Sequence, residues 1–487
     1  MKSLPMLRVL VPFVVGIAAA ERFVLPLWFL AAAFCICGGL ALAFRSGAAL
    51  VGMLAAAGFG LAQYRMPVRS VPLGVGGVWA IDIEGIPVDR GRYRAVDGVI
   101  RAWRPGSDDA EAGRWHVACD RVWLMCDSLV DLAGGERICC AGTLKPLRSA
   151  SQGYLRGMAR RGYVGSLFIG ADDEVLRVSE GRPNLHLRAA ARLKERCSRS
   201  DAGAVVRAMT VADRSELKPG LRTAYSRSGL SHLLAVSGLH VGIVFWLVNC
   251  ALRWTTLLRR GHLWLDAAVL LAVWGYVAIA GFPPSAVRAA VMASLLQGAL
   301  AAGSAYVGLN ALAAAAFGML VWNPAWLGDA GFRLSFIAVA AILAWGVPLC
   351  RRLRTGWRVV DALVDTWVVG FAASLATAPL ISHIFGIVPV AGLLLGPVVI
   401  PLAGVAVLSG LLVLLMPVPA WAMVWRWAGE GAAELLDRMA RLVAAMPGGA
   451  FDYRLSEGWT AGCYCLFIVV TAIAWRYEPK KTIHLSS

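Results

Sequence analysis

Long apolar runs recur along this chain, and that recurrence limits what it can become. They occupy about residues 6–20, 24–44 and 47–64. After a polar interval they resume at 230–258, 263–281, 285–302, 304–322, 330–350, 361–386, 389–416 and 458–475. About twenty consecutive apolar residues cross the hydrocarbon core of a bilayer as a helix. The 487-residue chain is 59% hydrophobic and 16% charged, with mean hydropathy +0.66. Soluble domains carry roughly 45–50% apolar and about 25% charged residues. A water-soluble chain and a disordered chain are both excluded. The expected class is a polytopic α-helical membrane protein.

Charge punctuates the runs and orients them. Lys2 and Arg8 flank the first run, and Ala18-Ala19-Ala20 resembles a signal-peptide cleavage site. Two further runs follow at once, so residues 1–66 are expected to remain as N-terminal transmembrane helices. With Lys2 and Arg8 inside, three crossings put residue 67 onward outside. Arg259-Arg260 and Arg351-Arg352-Leu353-Arg354 both read cytoplasmic, and the four runs between them agree. In the polar tail, residues 476–487, Arg476, Lys480 and Lys481 favour an internal C-terminus. That needs an even number of crossings after Arg354, where three runs stand out. Either 389–416 is a broken pair, or 419–447 enters the membrane, or the tail lies outside. The net charge of +17 fits basic cytoplasmic loops first, and an anionic partner such as nucleic acid second.

Residues 67–185 differ in kind, with no run long enough to span. Alternating segments at 93–103, 115–126, 137–144 and 164–178 are separated by turn signals at 105–108, 134–135 and 171–173. This is the pattern of short strands, and a small extracytoplasmic barrel of five or six strands is expected, with a basic link at 149–162. Cys119, Cys126, Cys139 and Cys140 lie here, where an oxidising compartment would allow one or two disulfides. Residues 186–229 read as a basic amphipathic helix, since 182–227 hold eleven Arg or Lys against four acids. Such a helix rests on anionic headgroups or forms a collar at a pore mouth. Residues 230–475 then form a bundle of about eight helices.

The segment 229–242, GLSHLLAVSGLHVG, places His232, Ser237 and His240 in an apolar span. Ionisable groups in lipid are costly and face a polar interior or a partner. Gly238 and Gly242 form a small-xxx-small face that lets helices touch. The plainer reading is tight packing with satisfied histidines. Catalysis is disfavoured. Ala235 stands where a nucleophile elbow needs Gly, and the two histidines are eight apart, twice the spacing of a helical zinc pair. There is no Walker A loop and no His-x-His-x-Asp-His cluster. No catalytic residue, metal or cofactor is expected.

Residues 211–244, VADRSELKPGLRTAYSRSGLSHLLAVSGLHVGIV, resemble the signature of the ComEC competence family. They contain its Asp-Arg near a helix start and its His-Leu-Leu-Ala-x-Ser-Gly-Leu-His-Val core. The order continues through PSAVRAAVM (284–292), NPAWLGDAGFRLSFI (323–337) and TAPLISHIFG (377–386). Residues 154–166, YLRGMARRGYVGS, resemble part of the family's extracytoplasmic OB-like domain. The resemblance implies an inner-membrane channel that passes single-stranded DNA into the cytoplasm during natural transformation. It implies an OB-like β-barrel inserted between the N-terminal helices and the bundle. Two departures stand out. Many members carry a C-terminal metallo-β-lactamase-like domain, and this chain is expected to be a form lacking it, so that strand degradation falls to a separate nuclease. The family's Ala-Asn-Leu is Leu395-Gly396-Pro397 here, so no role of that Asn carries over. A DNA receptor, a cytoplasmic translocase, membrane lipid and further copies of the chain are the other expected partners.

A strand with one negative charge per phosphate needs a polar, basic route. The candidate lining residues are His232, Ser237, Gly238, His240, Arg288, Asp329, Arg333 and His383. Arg288 sits in an apolar helix just after 281–284. Asp329 and Arg333 are one turn apart and placed to pair, as a structural bridge or as a gate. His383 follows Pro379, expected to kink its helix, and Pro397 and Pro401 are expected to break another run. Trp103 and Trp115 lie beside Arg101, Arg104, Arg114 and Arg121. They read as a DNA-binding surface that stacks bases and holds phosphates, or as the barrel's own core. Two other classes remain: a carrier for a smaller anionic solute or lipid, and a membrane-embedded hydrolase using Ser237 and His240.

Overall fold

The computed structural model describes residues 4–65, 70–91, 93–106, 114–127, 129–130, 132–148, 152–179, 183–257, 261–301 and 307–476. Lys2, Arg182, Arg259, Arg260, Lys480 and Lys481 lie outside the described residues, as do 107–108 of the expected turn. Helices α1 (Pro5–Ala20), α2 (Leu27–Phe44) and α3 (Gly47–Tyr64) come first. α1 and α3 touch backbone to backbone. A Cβ on Gly16 would collide with the Ala55 carbonyl, and one on Gly58 with the Phe13 carbonyl. Without a hydrophobic drive between helices in lipid, such close approach by small residues holds them together. The Gly238 and Gly242 pair does not act this way, because Gly242 faces open space.

Six strands follow: β1 (Gly76–Asp89), β2 (Arg94–Pro105), β3 (His116–Cys126), β4 (Arg137–Thr143) and, after α4 (Gln152–Arg160), β5 (Tyr163–Ile169) and β6 (Val175–Ser179). They form one sheet in the order β5-β3-β2-β1-β4-β6, in which β3 and β5 run parallel. One bridge, Lys145 to Ser166, ties the residues after β4 to β5, without a continuous ladder. Alternation along β1 buries Trp79, Ile81 and Ile83. They join Ile100, Leu124, Ile138 and Leu167 in a core separate from that of the helices. Among the described residues, Cys119, Cys126, Cys139 and Cys140 form no disulfide with one another. Cys126 and Cys140 point into this core, while Cys119 and Cys139 alternate to the other face. Cys119 and Cys139 also sit on strands with β2 and β1 between them, about 14 Å apart at the usual strand spacing.

The basic stretch read as one amphipathic helix is three: α5 (Leu185–Arg196), α6 (Asp201–Val211) and α7 (Pro219–Arg227). Asn184 and Ser200 cap the first two with side-chain oxygens, as N-cap residues do. All but the first residue of α6 are buried, and Leu193, Met209 and Tyr225 join the main helical core. Arg207, 1% exposed, is held by Glu216 and by the Ser198 carbonyl, with Asp213 at 3.8 Å. Apolar packing and internal ion pairs therefore account for much of this basic segment.

The bundle comprises α8 (Gly238–Leu252), α9 (Gly261–Ile279), α10 (Pro284–Ala301), α11 (Gly308–Trp322), α12 (Ala330–Ala341), α13 (Val347–Arg352) and α14 (Arg358–Phe385). After strand β7 (Ile387–Pro389) come α15 (Gly396–Leu415), α16 (Pro419–Ala445), strand β8 (Ala450–Asp452) and α17 (Glu457–Arg476). The run expected to begin at 230 becomes helical only at Gly238, and turns hold the buried Leu230, Leu233 and Val236 before it. α12 and α13 join through a π-turn at Ile342–Gly346. Pro348 has no N–H to donate, so the ladder widens there. Pro379 does not interrupt α14, and Pro401 lies within α15. After a short turn at 391–394, run 389–416 holds one long helix, α15, and not a broken pair. Among the described residues, six helical segments are long and apolar enough to cross a membrane: Leu27–Phe44, Gly47–Tyr64, Gly261–Ile279, Ala330–Arg352, Arg358–Phe385 and Gly396–Leu415. Pro5–Ala20, Gly308–Trp322 and Glu457–Ile473 are shorter apolar helices. The chain is a multipass helical membrane protein.

α16 is too polar to count among the spans, and it packs along α15, α6 and α7. Its Asp437, 5% exposed, accepts a hydrogen bond from Tyr225 Oη at 2.6 Å. Burial pushes this carboxyl up to about 6, against the opposing effect of the Tyr225 bond. A carboxyl raised on folding stabilises the fold while protonated, below about pH 4, and loses that contribution as pH rises through about 6. Asp437→Asn is therefore expected to unfold later than wild type near pH 7.5, the gap closing by about pH 4, in detergent melting curves across that range. In the same assay Gly58→Val should cost about 1–3 kcal/mol through overpacking. Gly60→Val, where a side chain meets open space, should stay within about 0.5 kcal/mol.

Candidate functional site

Two groups of polar side chains lie along the first half of α12. At its start, Asp329 has extended φ and ψ, and its Oδ1 accepts the Phe332 N–H at 3.0 Å. Asp329 Oδ2 takes a hydrogen bond from Arg161 Nη2, next to α4 in the sheet region. The preceding Arg160 lies against Gly328 and reaches Glu21, at the end of α1, with Nη2 to Oε2 at 2.5 Å. Two consecutive arginines thus tie the sheet region to α1 and α12. The expected pairing of Asp329 with Arg333 is corrected. An N-cap side chain folds back over the helix start, which removes it from the i, i+4 face. Arg333 instead turns its Nε to the Leu327 carbonyl at 2.6 Å.

Further along, α12 packs on α10, which in turn packs on α8. The turn between α9 and α10 is tight, with Gly281 and Phe282 both at positive φ. It sets Ser285 Oγ against the Val236 carbonyl at 2.5 Å and turns Arg288 inward. Arg288 Nη1 donates to the Ser335 carbonyl, and the Phe336 ring centre lies 5.7 Å from its guanidinium carbon. Arg288 Nη2 lies 3.4 Å from the position a Cβ on Gly238 would take. Ser237 precedes α8, and its N–H donates to His240 Nδ1 at 2.6 Å. Ser237, Gly238, His240 and Arg288 therefore come together. Asp329 caps α12 and Arg333 lies on its first turn, two residues before Ser335, with its Nε turned back to the Leu327 carbonyl. His232 is exposed in the turn before α8, its Nδ1 3.0 Å from the Gly229 carbonyl. His383 is apart, on α14, with Nδ1 2.9 Å from the Leu455 carbonyl. Residue patterns alone missed Glu21, Arg160, Arg161 and Ser335. The adjacent arginines ending the MARR stretch were the available signal for two of them.

On the sheet the basic and aromatic candidates divide. Arg101 Nε bonds Asp82 Oδ2 at 2.7 Å, Arg137 grips the same carboxylate, and Arg121 pairs with Glu84 at 2.7 Å. Hydrogen bonding from Arg137, then Arg101, holds the Asp82 carboxyl below its ordinary value in spite of partial burial. Burial raises the Asp97 carboxyl, which accepts from Tyr163 Oη at 2.6 Å. Trp103 is stacked between Trp79 at 5.7 Å and His116 at 5.0 Å, so it serves the core's mouth. Arg104 lies 5.5 Å from the ring centre of Trp115, which is 43% exposed, and Arg114 is exposed. Among the described residues, Arg104 and Trp115 contact each other, and neither they nor Arg114 pairs with an acid.

A family model described as Competence protein matches residues 209–478. "ComE operon protein 3" of Bacillus subtilis (strain 168) is 32% identical over 188 residues, 38% of this chain and 23% of that protein. "Competence protein ComA" of Neisseria gonorrhoeae is 32% identical over 212 residues, 42% of this chain and 29% of that protein. The matches thus span about a quarter of each relative's length. No solved structure matches.

The two roles of Asp329 separate by substitution. Asp329→Asn keeps a capping oxygen and loses the charge, whereas Asp329→Ala loses both. Exposed ion pairs contribute little, while an N-cap is worth about 1 kcal/mol. Melting curves in detergent are expected to place Asp329→Asn close to wild type and Asp329→Ala about 1 kcal/mol lower.

Proposed function

The chain belongs to the competence protein family, and on that premise we propose that it is a channel for single-stranded DNA entering the cytoplasm during natural transformation. The observation that carries the reading is the α12 seam. It leads from the Arg161–Asp329 pair beside the sheet to Arg288 inside the bundle. A polyanion is steered by cationic groups along its route and cannot face hydrocarbon. His232, Ser237, Gly238, His240, Arg288, Asp329, Arg333 and His383 are the proposed lining, with no chemical step assigned to any of them.

In this reading residues 67–185 stand outside an inner membrane as an OB-like domain. Support comes from the strand order, the parallel β3–β5 pair and the Lys145–Ser166 bridge, which together approach a partly open five-stranded barrel. Arg104, Arg114 and Trp115 would meet the strand first, by phosphate contact and stacking. A surface DNA receptor and a cytoplasmic translocase are the partners such a channel needs.

Deletion of the gene, with transformation scored on double- and single-stranded donor DNA, tests the proposal. Loss of transformation with both donors is expected, with labelled DNA still bound at the cell surface. Transformation at the parental level, or a defect confined to uptake of a small anionic solute, would overturn it.

A further inference from the structure

Inside the bundle Arg288 is buried without an acid beside it. Arg288 is 5% exposed and makes no ion pair among the described residues; Nη1 bonds a neutral carbonyl. Its Nε is buried without a partner, and Nη2 stands over Gly238. Arg207 provides the contrast. That equally buried arginine is met by Glu216 and Asp213.

The surroundings of Arg288 add positive character. Gly238 opens α8, so its N–H and that of Leu239 have no acceptor within the helix, and the helix dipole places partial positive charge there. His240 is 1% exposed, and its Nδ1 accepts the Ser237 N–H. Its ring proton therefore belongs on Nε2, which is a buried donor with no acceptor. A buried charge and buried donors are costly unless an opposite charge meets them. Glycine at 238 leaves the approach to Nη2 open.

We propose that Arg288, the Gly238 and Leu239 N–H groups and His240 Nε2 form a binding site for one phosphodiester group of the passing strand. This rests on the channel reading above and names the point in the bundle where the strand is gripped.

The test uses the purified full chain in phosphatidylcholine nanodiscs. Dithymidine phosphate is expected to raise Tm in a concentration-dependent way, as any ligand of the folded state does, while its uncharged methylphosphonate analogue does not. Arg288→Met is expected to melt no lower than wild type in chloride and to lose the response to dithymidine phosphate. Gly238→Ala, which keeps the arginine and narrows its approach, should weaken that response. In cells Arg288→Met should lower transformation roughly tenfold to a hundredfold, the loss of a charged hydrogen bond, with normal membrane levels of the protein. Equal responses to the charged and uncharged dinucleotides, or in wild type and Arg288→Met, would overturn the site. So would an Arg288-dependent Tm shift produced by phosphatidylglycerol and not by dithymidine phosphate, which assigns the group to lipid. Should Arg288→Met unfold, the Gly238→Ala response decides. Abolished transformation on gene deletion combined with wild-type transformation by Arg288→Met sinks this site alone. Normal transformation on deletion sinks the channel reading, and the Tm series still judges the site.

Discussion

Hydrocarbon offers no hydrogen-bond partner, so each polar group drawn into the bundle has to find one within the protein. This requirement organises the structure. Ser335 lends its carbonyl to Arg288, Val236 lends its own to Ser285, and the Ser237 N–H is met by His240. Each of these partners sits where regular helix is interrupted or where a second helix crosses. Turns before α8 and the tight corner before α10 flank the place where these polar groups converge. Irregular backbone within a membrane persists where protein covers it, and the buried Leu230, Leu233 and Val236 supply that cover.

Helix contact in such a medium rests on close fit. Gly16 and Gly58 let α1 and α3 meet at their backbones. α12 is linked to α1 through Arg160, Glu21 and Gly328, and to the sheet region through Arg161. Residue placement outside the bundle is thereby coupled to the helix that carries the Ser335 carbonyl. The sheet region uses its charges differently. Asp82 and Glu84 engage Arg101, Arg137 and Arg121, which leaves Arg104, Arg114 and Trp115 as its uncommitted basic and aromatic surface.

Several elements were legible before any coordinates. The apolar runs mark where the long helices lie, since only length and hydropathy matter for spanning. The alternating segments mark strands, because one face of each is buried. The candidates Ser237, Gly238, His240 and Arg288 come together as a group. Other features were hidden because they depend on distant partners. Asp329 and Arg333 have the spacing of a pair, yet capping geometry turns the aspartate away and Arg161, 168 positions distant, claims it. The basic stretch before the bundle has the composition of a headgroup-binding helix. Its arginines are nevertheless partly consumed by internal acids, and its apolar residues enter the main core.

The residue order alone determined that the chain crosses a membrane several times, that a strand-rich insert divides two helical parts, and that costly polar side chains lie within apolar runs. Those properties follow from local hydropathy and periodicity, which need no knowledge of neighbours. Tertiary structure alone decided which charges are neutralised. Arg207 and Arg288 are both arginines within apolar helical surroundings; the turn after α6 returns Asp213 and Glu216, six and nine residues on, to the first, and the packing of separate segments brings a helix start to the second. Pair energies depend on distance and local dielectric, and both are set by how the folded segments pack.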